Sequence, residues 1–223
     1  MIYIQLTNGF GNNLFQYIAG RLLATFHEQE VVVMPPTQDY YGISEFKKIG
    51  INVQNAEVPK CENVNDINYT HYFNPKYKNN DFLVSGYFEN YKYFKNNIDL
   101  IKTWFPEITS RNENDLILHF RAGDRLFYAN EHNGKPQAQN FIEAIQKFDF
   151  EKLYIVTDMP AWAPITIQQL EQMKFHVDVP EDKRISAQQS IDYFNSIVEG
   201  LSQFEPIHNR NSVAEDFSLI RCF

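Results

Sequence analysis

Apolar residues near the start of the chain recur at spacings that predict a strand, a loop, a helix and a second strand. Ile2-Tyr-Ile-Gln-Leu6 predicts a short strand, and the Gly-containing stretch of residues 7–11 predicts a loop. A helix over residues 12–27 is indicated by apolar residues at helical spacing, namely Leu14, Phe15, Ile18, Leu22 and Phe26. Val31–Met34, closed by two prolines, predicts a buried strand. This order of elements is typical of the start of a doubly wound α/β sheet.

The middle of the chain is less regular. Residues 40–80 have weak periodicity and predict loops and short helices, whereas residues 81–85 predict a strand and residues 91–104 a helix. Residues 106–115 are polar and aperiodic, as linkers between domains often are. The pattern therefore predicts an N-terminal α/β domain over residues 1–110 and a C-terminal α/β domain over residues 111–223.

The second half repeats the alternation of strands and helices. Strands are predicted at residues 116–120, 153–157 and 175–179. Helices are predicted at residues 140–148, 165–173 and 188–201, and another begins at residue 213. Both halves are thus expected to be Rossmann-type α/β folds.

Composition and charge narrow the class of partner. Hydrophobic residues make up 43% of the chain and aromatic residues 15%, which is ample for a core in each half. The net charge of −8 argues against a general nucleic-acid binder or a binder of anionic membranes. An anionic ligand would need a local positive pocket on an otherwise acidic protein.

The cysteine content and the length of the apolar runs predict the cellular compartment of the protein. Cys61 and Cys222 are the only cysteines, so no disulfide framework is implied and a reducing compartment is expected. No apolar run approaches the roughly 20 residues of a membrane span, and the N-terminus lacks the basic start of a signal peptide. The prediction is a cytoplasmic protein, either free or peripheral to a membrane, and the sequence does not indicate its oligomeric state.

The most informative chemistry lies where the predicted strand at 116–120 ends. The run continues as His119-Phe-Arg121-Ala-Gly123-Asp124. Ligands of parallel sheets bind at the carboxyl ends of strands, the planar guanidinium of Arg121 suits phosphate, and Gly123 permits close approach to the backbone. The arrangement predicts a site for a phosphorylated nucleotide or a nucleotide sugar.

Neighbouring residues have open roles at this stage. His119 shares a strand face with Arg121, so it either contacts the bound nucleotide ligand or braces the arginine. Asp124, beside two arginines, is expected to orient groups rather than to act as a base. Thr157 and Asp158 end another predicted strand at the same edge, which makes a contact to a ribose or a base plausible.

Four segments, in order, resemble the α1,2-fucosyltransferase family (glycosyltransferase family 11) within the α1,2-, α1,6- and protein O-fucosyltransferase superfamily. His119–Asp124 resembles the H-x-R-R-x-D-type motif. The other three segments are Asn8-Gly-Phe-Gly-Asn-Asn-Leu-Phe-Gln-Tyr17, Gly86-Tyr-Phe-Glu-Asn-Tyr-Lys-Tyr-Phe94 and Tyr154-Ile-Val-Thr-Asp-Met159. In the same order, they are similar to the family motifs G-G-x-G-N-Q-x-F-Q-Y and G-Y-F-Q-S-x-K-Y-F and to a strand that ends in S-D-D. Because the four segments are spread along the sequence, the resemblance covers nearly the whole chain.

The resemblance implies a GT-B-like fold, with two Rossmann-type halves facing a cleft. It also implies an inverting transfer of L-fucose from GDP-β-L-fucose to a galactose 2-hydroxyl, in which Arg121 grips the β-phosphate. The donor site would comprise His119, Arg121, Gly123, Asp124, Thr157, Asp158, Asp216 and Ser218. The loop of Gly9, Phe10, Gly11 and Asn12 would line the cleft. For Asp216, an acidic residue in the first turn of a helix is an equally good explanation.

Several positions depart from the family pattern. The second arginine of the pair is Ala122, the tyrosine that often follows Gly-Asp is Arg125, and Met159 replaces an aspartate. Asn8 and Asn13 replace the first glycine and the glutamine of G-G-x-G-N-Q. The segment 215–222 resembles D-F-x-L-M-x-x-C, but the S-x-F-S-W-W element that follows it in the family is absent. Either the sequence is truncated before this C-terminal element or the protein has dispensed with it.

No metal or cofactor is predicted besides the GDP-fucose donor substrate. The sequence has no Asp-x-Asp pair and its six histidines lack ligand spacing. Glu89 and Asp158 are the open candidates for the general base. Two rival hypotheses stay open: a related transferase with another linkage or nucleotide sugar, and a non-catalytic protein that binds a GDP-sugar or a glycan.

Overall fold

The structure, a computed structural model, describes residues 1–7, 9–36, 43–105, 114–128, 136–208 and 212–221. The chain divides into two compact units. The first comprises Met1–Ser110 with Ser212–Arg221, and the second is Arg111–Asn211. Most of the predicted linker, residues 106–113, lies outside the described residues.

The first unit is built on a four-stranded parallel sheet, which confirms the predicted α/β organisation. The strands are β1 (Ile2–Gln5), β2 (Val31–Met34), β3 (Glu62–Val64) and β4 (Phe82–Val84), in the order β2-β1-β4-β3. Ile2 of β1 lies opposite both Val31 and Phe82. The chain runs from β1 to the edge strand β2, crosses to β3 at the opposite edge and returns inward to β4, so that the carboxyl ends of β1 and β4 are neighbours.

Helix α1 (Phe10–His27) covers one face of this sheet. Ile2 and Ile4 are fully buried in the core that α1 forms with β1, whereas Tyr3 packs with Val32 and Met34 in a separate cluster. This alternation follows from the two-residue period of a strand. The helix begins at Phe10, two residues earlier than predicted.

The rest of the first unit consists of short elements. Helices α2 (Ile43–Lys48) and α3 (Ile98–Lys102) are accompanied by 3₁₀ turns at Tyr69–Tyr72, Pro75–Tyr77, Tyr91–Tyr93 and Lys95–Asn97. The helix predicted over residues 91–104 is therefore confirmed only at Ile98–Lys102, and two separate 3₁₀ turns precede it. Asn90 caps the turn Tyr91–Tyr93, and the run Lys95-Asn-Asn97 contains residues that compete with helical hydrogen bonding. Strand β3 was missed because Glu62 and Asn63 are exposed and give no apolar signal.

The second unit contains β5 (Leu116–His119) and β6 (Leu153–Val156), which pair in parallel with His119 opposite Val156. Ile207 adds a parallel bridge at Tyr154. Helices α4 (Ala138–Ile145), α5 (Ile167–Gln172) and α6 (Ala187–Leu201) pack around this sheet, and their core includes Phe120, Ile155 and Phe194.

The strand predicted over residues 175–179 is wrong. These residues form a 3₁₀ helix, Phe175–Asp178, which follows Lys174 in a left-handed conformation at φ 55°. Val177 is exposed, so the apparent alternation of apolar residues does not correspond to two faces of a sheet.

Helix α7 (Val213–Arg221) belongs to the first unit and not to the C-terminal domain that the sequence analysis predicted. Ala214 is fully buried there, and the Phe217 ring packs against Phe10 and Phe105, with centroids 6.0 and 5.2 Å apart. Ser212 and Glu215 form reciprocal hydrogen bonds at the helix start. None of the described helices is both long and apolar enough to cross a membrane.

Candidate functional site

The candidate site lies at the carboxyl ends of β5 and β6. The backbone N–H of Phe120 donates to the Val156 carbonyl at 2.8 Å, which extends the pairing one residue beyond the strands. Residues 121–124 and 157–158 then leave the same edge of the sheet. The structure thus brings together the two strand ends that sequence reasoning placed side by side.

Asp158 holds the turn that follows β5. Its Oδ1 accepts a hydrogen bond from the Ala122 backbone N–H at 2.8 Å, and Ala122 is fully buried. Its Oδ2 lies so close to Gly123 that a Cβ there would overlap it. Gly123 also has a φ of 40°, in the left-handed region that favours glycine. The contact between Asp158 and this turn therefore requires a glycine at position 123.

Arg121 immediately precedes this turn and points to solvent. Its side chain is 61% exposed, and Nη2 lies 3.9 Å from Oδ1 of Asp124. An exposed ion pair at this separation contributes little to stability, typically ~0–1 kcal/mol. The guanidinium thus lies near a carboxylate and remains accessible to an anion.

The alternation of side chains at the end of β5 determines which residues beside the turn are buried and which are exposed. Phe120 is buried against Phe141 and Trp162, with ring centroids 5.7 and 5.5 Å away. His119 and Arg121, on either side of it, are exposed. The predicted shared face of His119 and Arg121 is consistent with this burial pattern.

Residues from α6 and from the segment before it hold the 3₁₀ turn Gly123–Leu126 and the residue that follows it. Ser190 on α6 is fully buried, and its Oγ donates to the Leu126 carbonyl at 2.9 Å. The Ile185 N–H donates to the Phe127 carbonyl at 2.7 Å. The Arg125 guanidinium lies over the Tyr128 ring, 5.4 Å from its centroid. The two hydrogen bonds hold the turn that carries Asp124 and directly follows Arg121. Ser190 was not identified from the sequence.

The Gly9–Asn12 segment occupies a different environment, in the first unit. Gly9 is the N-cap of α1, so Phe10, Gly11 and Asn12 form its first turn and are not a loop. Phe10 packs against Phe46 with ring centroids 4.9 Å apart, which gives it a core role. Gly11 is exposed and has no neighbouring heavy atom within 4 Å of a Cβ built on it.

Two buried amides of α1 tie the ends of β1 and β4 together. Asn13 Oδ1 accepts from the Thr7 N–H at 3.0 Å. Gln16, which is fully buried, donates through Nε2 to Thr7 Oγ1 and to the Gly86 carbonyl, both at 2.6 Å. Sequence reasoning missed both residues, although two amides three positions apart on the buried face of an amphipathic helix were a usable signal.

The remaining predicted residues also belong to the first unit. Glu89 is exposed in the segment that follows β4. Asp216 and Ser218 are on α7, and the Asp216 N–H donates to the Ser212 carbonyl at 3.0 Å in the first turn. An acidic residue in this turn interacts favourably with the helix dipole, which agrees with the structural explanation of Asp216. Asn8 and Cys222, from the resembling motifs, lie outside the described residues.

The exposed Arg121 guanidinium is the group at this edge that suits an anion, and His119 and Thr157 lie at the ends of the same two strands. Among the described residues, no group of three or more His, Cys, Asp or Glu side chains is placed to hold a metal ion. No protein-family model matches this sequence, and neither a curated protein nor a solved structure matches the chain.

Proposed function

We propose that this protein is an inverting glycosyltransferase that transfers L-fucose from GDP-β-L-fucose to a galactose 2-hydroxyl. The observation that carries the proposal is the exposed Arg121 at the carboxyl end of β5, on a turn held by Asp158. The four segments that resemble the α1,2-fucosyltransferase family support the same conclusion. In this proposal the two units form a GT-B-like enzyme.

The donor diphosphate would bind to the second unit. Arg121 would hold the β-phosphate through charge-assisted hydrogen bonds, each worth about 1.5–3 kcal/mol. Gly123, which is buried against the Asp158 carboxylate, would let the turn behind Arg121 close on that carboxylate. His119 and Thr157 would contact the donor from either side, and Asp124 would orient the guanidinium.

The chemical step is a single displacement. The acceptor O2 forms a bond to C1 of fucose as the bond from C1 to the GDP oxygen breaks, and Arg121 stabilises the negative charge that develops on GDP. The acceptor proton passes to a carboxylate. Asp158 is already engaged with the Ala122 N–H, which favours the exposed Glu89 as the base. Asp216 and Ser218 remain candidates for the guanine side.

The test is an incubation with GDP-fucose and galactose-ended oligosaccharides, with EDTA present, followed by mass spectrometry of the product and measurement of released GDP. The expected product carries fucose on the galactose O2. Arg121→Ala should lower the rate about 10²–10³-fold. Arg125→Ala is the matched control, because this neighbouring cation lies over Tyr128 and should leave the rate nearly unchanged.

The other outcomes are informative. Transfer from a different nucleotide sugar, or to another hydroxyl, would identify a related transferase and overturn the stated specificity. Binding of GDP-fucose without turnover on any acceptor would identify a non-catalytic binding protein. An absence of binding would refute the donor site at Arg121.

A further inference from the structure

The segment that follows β4 contains a buried aromatic residue in a strained backbone conformation. Phe88 has a φ of 54° and is fully buried. The other described non-glycine residues with positive φ, Glu28, Lys174 and Glu205, follow helices, where a left-handed residue is ordinary. A bulky residue in this conformation costs about 1–3 kcal/mol and persists only where its surroundings impose it.

Asp66 imposes the conformation. Its Oδ2 accepts from the Tyr87 N–H at 2.9 Å and its Oδ1 from the Phe88 N–H at 2.5 Å. Gly86 makes room for this carboxylate, because a Cβ at Gly86 would lie 2.5 Å from Oδ2. The Tyr93 hydroxyl in turn donates to the Asp66 carbonyl at 2.7 Å. One carboxylate thus fixes two successive backbone amides.

The consequence of this turn is the position of Tyr87. Phe88 packs into the core, where its ring lies 5.2 Å from that of Tyr69, whereas the Tyr87 side chain is 54% exposed. The turn follows the carboxyl end of β4, beside that of the parallel strand β1. Ligands of open α/β sheets bind outside the carboxyl ends of the strands. A strained turn therefore presents an aromatic ring at a favoured ligand position.

We infer that Tyr87 is the stacking platform for the galactose unit of the acceptor, an inference that rests on the proposed transferase function. The C–H groups on one side of a galactopyranose form an apolar face, which matches an exposed aromatic ring carried on a fixed backbone turn. Residues 86–90 include Glu89 and no cation, which favours a neutral polyhydroxyl ligand over a phosphorylated one. Glu89 follows Tyr87 by two positions and supplies a carboxylate to accept from a sugar hydroxyl.

The test is a titration of lactose into the full chain without GDP-fucose, followed by NMR, together with the steady-state KM for each substrate. Tyr87→Ala should raise the lactose Kd and the acceptor KM about tenfold, the equivalent of ~1.4 kcal/mol, and leave the KM for GDP-fucose unchanged. Tyr87→Phe should retain wild-type values, since the ring remains. Tyr91→Ala, at a tyrosine that is 65% exposed outside the strained turn, is the matched control and should also be unchanged.

A second variant tests the turn. Asp66→Asn removes the charge that accepts the two amides and should raise the acceptor KM without affecting GDP-fucose. Unchanged lactose binding in Tyr87→Ala, equal loss in Tyr91→Ala, or no lactose binding by the wild type would overturn the inference. Lactose binding that depends on Tyr87 in a protein that transfers no fucose would refute the proposed function alone.

Discussion

Asp158 and Ala122 are joined by a hydrogen bond of 2.8 Å from the Ala122 backbone N–H to the Asp158 carboxylate, which links the chain segments after two neighbouring parallel strands. Ala122 directly follows Arg121, so the carboxylate fixes the backbone on which the exposed guanidinium is carried. The position of Arg121 thus depends on a residue 37 positions later in the chain.

Gly123→Ala tests this relationship through stability. Alanine would be strained at a φ of 40°, and its Cβ would overlap the Asp158 carboxylate. We expect the free energy of unfolding to fall by about 1–3 kcal/mol. Urea denaturation of the wild type and the variant measures the difference.

Gly11→Ala is the control for that substitution. Gly11 lies in the first turn of α1 with open space around it, and alanine is the better helix former by about 0.5–1 kcal/mol. The variant should be as stable as the wild type or slightly more stable. A Gly123→Ala variant of unchanged stability would contradict the account of the turn.

Asp158 variants separate a structural role from a catalytic one. Asp158→Asn keeps an oxygen that can accept from Ala122 and should retain most of the transfer rate, whereas Asp158→Ala leaves a buried N–H without this acceptor and should cost about 1–3 kcal/mol of stability. Thermal denaturation and initial rates measure the two effects. A rate loss in Asp158→Asn as large as that in Arg121→Ala would instead make Asp158 the base.

Glu89→Gln is the complementary experiment. Glutamine keeps the size of the side chain and cannot take a proton, so the transfer rate should fall about 10²–10⁴-fold. Because Glu89 is exposed, the melting temperature of the Glu89→Gln variant should match that of the wild type. Normal turnover by this variant would exclude Glu89 as the base.

The attachment of α7 should depend on pH. Partial burial would raise the pKa of Glu45, but hydrogen bonds from Lys48 and from the Ala214 N–H outweigh this effect and hold the pKa below its usual 4.5. A lowered folded-state pKa stabilises the protein above the unfolded pKa, and this contribution is lost as the pH falls through the folded value.

The stability of the wild type should therefore exceed that of Glu45→Gln at pH 7, and the difference should shrink below about pH 4.5. Urea denaturation at several pH values, with the Ala214 amide signal as a local probe, checks this. A difference that is independent of pH would mean that the Glu45 charge does not hold α7.

Much of the fold could be predicted because buried strands such as β1, β2 and β6 are short apolar runs with clear boundaries. The residues of the β5–β6 edge could also be predicted, since parallel strands bring their carboxyl ends together. Strand β3 could not be predicted, because backbone pairing with β4 defines it and its side chains give no apolar pattern. The 3₁₀ helix at Phe175–Asp178 could not be predicted either, because it depends on the left-handed conformation of Lys174. Asp66 acts through backbone groups distant in sequence, which leaves no local signal.

The assignment of α7 to the first unit has a consequence for biosynthesis. Phe217 can reach Phe10 and Phe105 only after the ribosome has made every residue of the second unit. Nascent chains usually complete their N-terminal domain first. Here the first unit would begin to be synthesised before the second unit but would be completed after it. Until α7 is made, the aromatic surface formed by Phe10 and Phe105 would be accessible to chaperones.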